Sequence, residues 1–197
     1  MRFTTIELVH TAMRPADLPA PGLPVTALLG RSNSGKSTLL NALLGEARAA
    51  RTGQRPGLTR GVRYFRADGR LLLADTPGFG YAAMGQAAAR ANAELLEAVL
   101  ERAPLALVLL LVDVRRDPRE DERTILARLE ARGVPACIVL TKCDKVKPHE
   151  IRAKVEALRR SFPPTVTVHP VSAQSGQGMK DLMKSILQGA AHALQQA

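Results

Sequence analysis

Gly30, Arg31, Ser32, Asn33, Ser34, Gly35, Lys36 and Ser37 place two glycines, a lysine and a hydroxyl in the spacing G-x-x-x-x-G-K-[ST], with Thr38 next. That spacing suits a backbone curled round a phosphate. The glycines let successive N–H groups converge, and the positive end of a following helix adds to them. Lys36 would bridge the β- and γ-phosphates and so act in catalysis, while the Ser37 hydroxyl would coordinate Mg²⁺. A chance glycine-rich turn is the alternative, made rarer by the strand-to-helix context of the stretch.

A second group could identify the base. Thr141, Lys142, Cys143 and Asp144 follow an apolar run ending at Leu140. A carboxylate there can accept from guanine N1–H and the 2-amino group, donors that adenine does not offer in that arrangement, while Lys142 lays its alkyl stem along the base plane. Alone, this tetrapeptide reads as an ordinary polar loop. Val171, Ser172 and Ala173 after the next strand tip the balance, since a backbone N–H there, Ala173's by position, can meet guanine O6.

Between these groups lie two segments that could sense the third phosphate. Asp75, Thr76, Pro77 and Gly78 close an apolar run. Asp75 would hold Mg²⁺ through water and Gly78 would offer its N–H to the γ-phosphate, although the same tetrapeptide is a good turn sequence anywhere. Gly57, Leu58, Thr59, Arg60 and Gly61 precede a hairpin, and the Thr59 hydroxyl would complete the magnesium shell and so serve catalysis. Loss of the γ-phosphate would release both segments, an order–disorder switch.

The elements that must position these groups follow from hydropathy. A strand expected at Arg2–Val9 leads into a Pro-rich connector, Pro15–Pro24. Strands are expected at Val25–Leu29, Val62–Ala67, Leu71–Ala74, Leu105–Val112, Ala136–Leu140 and Thr165–His169, with helices at Lys36–Leu44, Ala87–Arg102, Glu120–Arg132, His149–Arg160 and Met179–Leu194. Asp68-Gly69 is a hairpin turn signal between the third and fourth strands. Alternating strands and helices imply an α/β fold, a mostly parallel sheet covered by helices on both faces, with ligands at the carboxyl ends of the strands.

Five guanine-nucleotide motifs in order resemble a translation-factor-type GTPase domain. The wording is narrower: Leu18-Pro-Ala-Pro-Gly-Leu-Pro24, G-R-S-N-S-G-K-S, P-G-L-T-R, D-T-P-G-F-G-Y-A and T-K-C-D resemble the EngB family over essentially the whole chain. Ser34, Thr76 and Ala173 depart mildly from the family's usual wording. The resemblance implies a three-layer P-loop GTPase domain: a mixed, mostly parallel sheet with one antiparallel hairpin strand. Residues 25–197 would form it, and residues 1–24 would be its lead-in. It also implies GTP and GDP as ligands with Mg²⁺, and a cytoplasmic, monomeric protein acting on the large ribosomal subunit precursor and its rRNA, needed for division and septation. Related GTPases with Asn at the position of Asn33 imply a K⁺ ligated near the β–γ bridge, a catalytic aid. In Ras-type domains a Gln follows the glycine of D-x-x-G and orients the attacking water. Here that residue is Phe79, so intrinsic hydrolysis is expected to be slow.

Composition sets the outer limits. The 197 residues are 46% hydrophobic and 23% charged, which suits one folded domain and excludes disorder by composition. The longest apolar run ends at Asp113, too short to cross a bilayer, and Glu7 and His10 interrupt any leader-like opening. Cys137 and Cys143 have neither zinc nor disulfide spacing. The net charge of +10 asks for a polyanion. It concentrates in Arg48–Arg70, with seven Arg against Asp68, and in Lys142–Arg160. Arginine so placed favours phosphate recognition gated by the nucleotide, against a merely solvated basic face. Arg115–Arg123 reads as a solvated helix start. A static RNA-binding scaffold and the GTPase module of a tRNA-modifying or membrane-transport protein are the competing functions. Intact Lys36, Ser37, Thr59 and Asp75 argue against the first, and no appended domain or membrane span is expected for the second.

Overall fold

The structure, a computed structural model, describes residues 3–19, 22–45, 61–80 and 85–196. Seven strands, β1 (Ile6–Ala12), β2 (Val25–Gly30), β3 (Val62–Ala67), β4 (Leu71–Asp75), β5 (Leu105–Asp113), β6 (Ala136–Thr141) and β7 (Thr167–Pro170), form one sheet in the order β1-β3-β4-β2-β5-β6-β7. Only β3 runs against its neighbours, pairing antiparallel with both β1 and β4, while the remaining ladders are parallel. The five helices are α1 (Lys36–Leu44), α2 (Gln86–Arg102), α3 (Glu120–Ala131), α4 (Pro148–Ser161) and α5 (Met179–Gln196).

Two layers of core arise from period-2 alternation in strands buried on both faces. On β5, Val108, Leu110 and Val112 point to a cluster with Leu95, Val99, Leu126 and Ile151 of α2, α3 and α4. Leu107, Leu109 and Leu111 point the other way, to Leu40, Leu43, Leu182 and Ile186 of α1 and α5. Burial of each such leucine is worth about 1.5–3 kcal/mol, so β5 and β2 form a stiff centre beneath the loops at their carboxyl ends. Two helices begin with an acid folded back on the entering chain. Arg119 N donates to Glu122 Oε2 at 2.7 Å, and Lys147 N donates to Glu150 Oε2 at 2.7 Å.

Two strands are displaced at both ends from the sequence expectation. The first strand spans Ile6–Ala12, not Arg2–Val9: its ends follow its ladder with β3, and an irregularity between Leu8 and His10 breaks the alternation that would have located it. The last strand begins at Thr167 because a turn, with Val166 N donating to Pro163 O at 2.9 Å, takes up Thr165 and Val166. It extends to Pro170 opposite Leu140, as an edge strand permits. Among the described residues no helix is long and apolar enough to cross a membrane.

Candidate nucleotide site

The phosphate loop leaves β2 at Gly30 and enters α1 at Lys36. Gly35, the N-cap of α1, has φ of 97°, a left-handed value that costs a side-chain-bearing residue strain. Asn33 is also left-handed, with φ of 65°, and its side chain is exposed. Ser34 N donates to Arg31 O at 3.1 Å, closing the loop. The buried Lys36 amine folds back over it, donating to Gly30 O at 2.6 Å and Arg31 O at 3.1 Å. Burial pushes this amine down to about 8, against the pull of the Asp75 carboxylate. Ser37, half-buried, and Thr38, exposed, follow in the first turn of the helix. The Ser34 hydroxyl is buried without a protein partner.

Asp75 is the last residue of β4 and fully buried. Arg63, opposite it on β3, donates from Nη2 to Oδ2, while Oδ1 is buried with no partner. Burial raises the Asp75 carboxyl from its ordinary value, opposed by Arg63 and Lys36. An unpartnered carboxylate oxygen on Asp75, whose charge reaches Lys36 at the start of α1, is what a hydrated Mg²⁺ would need, so these residues fit the ion. The Thr76 hydroxyl donates to Leu28 O at 2.7 Å and pins the chain after β4 to β2. Beyond Pro77, Gly78 passes so close to the phosphate loop that a Cβ would lie 3.0 Å from both Ser32 N and Cα. Ser32 N donates to Phe79 O at 3.2 Å, and the Phe79 ring packs against the core under α2. Arg31 ties three pieces together, donating to Gly80 O at 3.0 Å and pairing with Asp121 of α3. The Arg115–Arg123 segment is therefore not merely solvated, and Glu122 within it is buried. Of the pre-hairpin residues, Gly61 precedes β3 with φ of 81°, whereas Gly57, Leu58, Thr59 and Arg60 lie outside the described residues.

The base end joins the phosphate loop directly. The Thr141 hydroxyl donates to Ser34 O at 2.7 Å, and Lys142 Nζ donates to Asn33 O at 2.8 Å. Lys142, left-handed with φ of 60°, also pairs with Asp113 at 3.1 Å. Hydrogen bonds from Arg115, joined by Lys142, hold the Asp113 carboxyl well below the usual range. Asp144 Oδ1 accepts from the Ser172 hydroxyl at 2.7 Å, which lowers its carboxyl too. A cavity of about 200 Å³ opens between Gly35, Thr38, Thr141, Lys142, Asp144 and Ala173. Val171 N donates to Leu140 O at 2.8 Å, and Ser172 N to Gln177 O at 3.0 Å, fixing the loop that carries Ala173. Cys143 faces inward: its N–H donates to Val171 O at 3.2 Å, and burial pushes its thiol up to about 11. It joins the two loops through the backbone and its side chain does not face the base. Cys137 is likewise buried, its thiol pushed up to about 12.

Sequence reasoning missed Asp113, Arg63 and the Phe79 carbonyl. Asp113 carried a signal, a charge closing an apolar run at the carboxyl end of a central strand. The other two did not: one depends on cross-strand register, the other on the backbone.

Comparisons with known proteins agree with this fold. A family profile described as "50S ribosome-binding GTPase" matches residues 25–142, and one described as "Elongation factor Tu GTP binding domain" matches residues 94–192. A probable GTP-binding protein EngB of Geobacter metallireducens is 41% identical over 159 residues, 80% of this chain and 78% of that protein. Its counterpart in Syntrophus aciditrophicus is 33% identical over 187 residues, covering 94% and 95%. Among solved structures, a probable GTP-binding protein engB superposes with a TM-score of 0.63 at 24% identity, over 85% of this chain and 99% of that one. A variant of Era of Aquifex aeolicus bound to GDP and aluminium fluoride gives a TM-score of 0.71 at 24% identity; this chain covers 57% of that longer chain. The chain belongs to the EngB family of GTP-binding proteins and is a P-loop GTPase.

Proposed function

We propose that the protein is a guanine-nucleotide switch that hydrolyses GTP slowly and acts, as a cytoplasmic monomer, in assembly of the large ribosomal subunit, meeting ribosomal RNA and so supporting division and septation. The observation that carries the nucleotide reading is the direct link between the two ends of the site. Thr141 and Lys142 hold the carbonyls of Ser34 and Asn33 at 2.7 and 2.8 Å, so the phosphate cradle and the Asp144-rimmed cavity share one register. The ribosomal part is supported by the EngB relatives and by the ribosome-binding description of the matching family.

Lys36 would exchange its two carbonyl partners for phosphate oxygens, and the amides around Gly35 would face the β-phosphate. Ser37 would hold Mg²⁺ directly and Asp75 Oδ1 through water, with Thr59 as a further ligand; such an ion would supply positive charge to the phosphates. The Phe79 ring, packed against the core, cannot orient water, so hydrolysis depends on charge placed near the β–γ bridge. A K⁺ ligated by the exposed Asn33 side chain would supply it.

Co-sedimentation of the protein with purified large-subunit particles, in a non-hydrolysable GTP analogue or GDP across a salt series, tests the switch. Binding with the analogue, weaker with GDP and with rising salt, is expected. Equal binding in both nucleotides would refute it.

A further inference from the structure

We propose that Arg63 is a resident counter-cation on the carboxylate that faces the metal, and that it sets the Mg²⁺ concentration needed to retain guanine nucleotide. The inference rests on the reading of Asp75 as that carboxylate.

Arg63 and Asp75 are direct partners in the antiparallel β3–β4 ladder, which puts both side chains on one face of the sheet. The guanidinium donates to Asp75 Oδ2 in an ion pair whose acid is fully buried and whose base is 17% exposed. Its carbon lies 5.6 Å from the centre of the Phe65 ring, so the hydrocarbon neighbour holds the fork in place. Arg63 Nε is buried without a partner, as is the opposite carboxylate oxygen, Asp75 Oδ1. One oxygen is therefore committed to a fixed cation and the other is left over.

Lys36 is the other cation whose field reaches Asp75. It is drawn to the phosphates when nucleotide binds, whereas Arg63 is anchored on the strand and stays. A divalent ion arriving at Oδ1 meets a carboxylate whose charge is already matched, with a guanidinium on its far side. In a buried setting that repulsion is weakly screened. Two consequences follow. With metal present, Arg63 weakens the hold of the site on Mg²⁺. With metal removed, Arg63 holds Asp75 in place and offsets its charge beside the phosphates, so nucleotide leaves less readily than it would from a site with a bare carboxylate.

The test is release of a fluorescent GDP from the full chain, chased with excess GDP, in EDTA and across a Mg²⁺ titration. Melting curves of the same samples give a second readout. Arg63→Gln is expected to move the Mg²⁺ midpoint down on the order of tenfold or more. It should also speed release in EDTA and lower the melting temperature in EDTA, with the deficit closing once Mg²⁺ and GDP are present. Arg63→Lys, which keeps the charge, should stay close to the parent. Arg63→Asn is read in the same way should the Gln variant not fold. Mg²⁺ midpoints that coincide in parent and variant overturn the inference while leaving the metal reading of Asp75 intact. If Mg²⁺ alters release in none of the forms, that reading fails and the inference with it.

Discussion

Raising the pH should weaken nucleotide binding well before an ordinary lysine titrates, because of Lys36. The residue is 8% exposed, its amine is held by two carbonyls, and burial brings that amine from 10.5 down to about 8. That drop corresponds to about 3 kcal/mol against the charged amine. Phosphate oxygens provide the anionic partner that two neutral carbonyls do not, so a bound nucleotide restores the ordinary, charged amine. Below pH 8 the free protein already carries the proton and binding is insensitive to pH. Above it, binding must take up a proton, and affinity falls by nearly a decade per pH unit, roughly tenfold between pH 7 and 9. Folding stability of the nucleotide-free protein moves the opposite way. The unfolded chain keeps its proton up to 10.5, so from about 8 to 10.5 the unfolded state binds more protons and stability rises with pH.

Fluorescent-GDP titrations between pH 7 and 9 measure the affinity, a range over which guanine keeps most of its own N1 proton. Calorimetry in buffers of different ionisation heat counts the protons, with an uptake of about 0.9 expected at pH 9. Lys36→Arg should abolish the slope, since a guanidinium stays charged throughout. An affinity constant within twofold across the range, or binding at pH 9 without proton uptake, would refute the reasoning.

Asp144→Asn should weaken GDP about 100-fold or more, since charge-assisted hydrogen bonds contribute about 1.5–3 kcal/mol each. It should favour a xanthine nucleotide, whose 2-oxo group accepts from the new amide; competition between fluorescent GDP and XDP reads both. The Ser172 hydroxyl bond lowers the Asp144 carboxyl, so its part in GDP binding should persist down to its folded pKa, below 3.8, and be lost as pH falls through it. GTP turnover should be faster in K⁺ than in Na⁺, and Asn33→Ala should erase the difference, as phosphate release in matched salts would show.

The fold was legible because its central strands are nearly continuous apolar runs, and apolar runs end where burial ends. That same rule hid the chemistry by one residue. The expected strands stopped at Leu29, Ala74, Val112 and Leu140, whereas the ladders of β2, β4, β5 and β6 continue to Gly30, Asp75, Asp113 and Thr141. These four residues all serve the site: Gly30 O holds Lys36, Asp75 meets Arg63, Asp113 pairs with Lys142, and Thr141 bonds to Ser34 O. Rigid ladder geometry extends one rung past the core, so a polar group there inherits the precision of the sheet while facing the ligand. Hydropathy marks such a residue as loop, because it sees the change of polarity and not the pairing.

Charge shows the opposite limit. Arg48–Arg70 is the most basic stretch of the chain by count, which favours contact with a polyanion. Three of its arginines are described, and they differ in what they can offer. Arg63 is turned inward on a fully buried carboxylate, and removing its charge would leave Asp75 uncompensated, so it is unavailable to RNA. Arg66 pairs with Glu7 across the exposed edge of the sheet, with both side chains about half-exposed or more. Such a pair is worth about 0–1 kcal/mol and is easily exchanged for a phosphate. Arg70 lies exposed beyond the hairpin turn. Among the described residues, formal charge therefore overstates the RNA-facing capacity by one arginine of three, and that arginine belongs to the nucleotide site: one residue type, spaced every few positions, serves the metal-facing carboxylate at one position and solvent at the next.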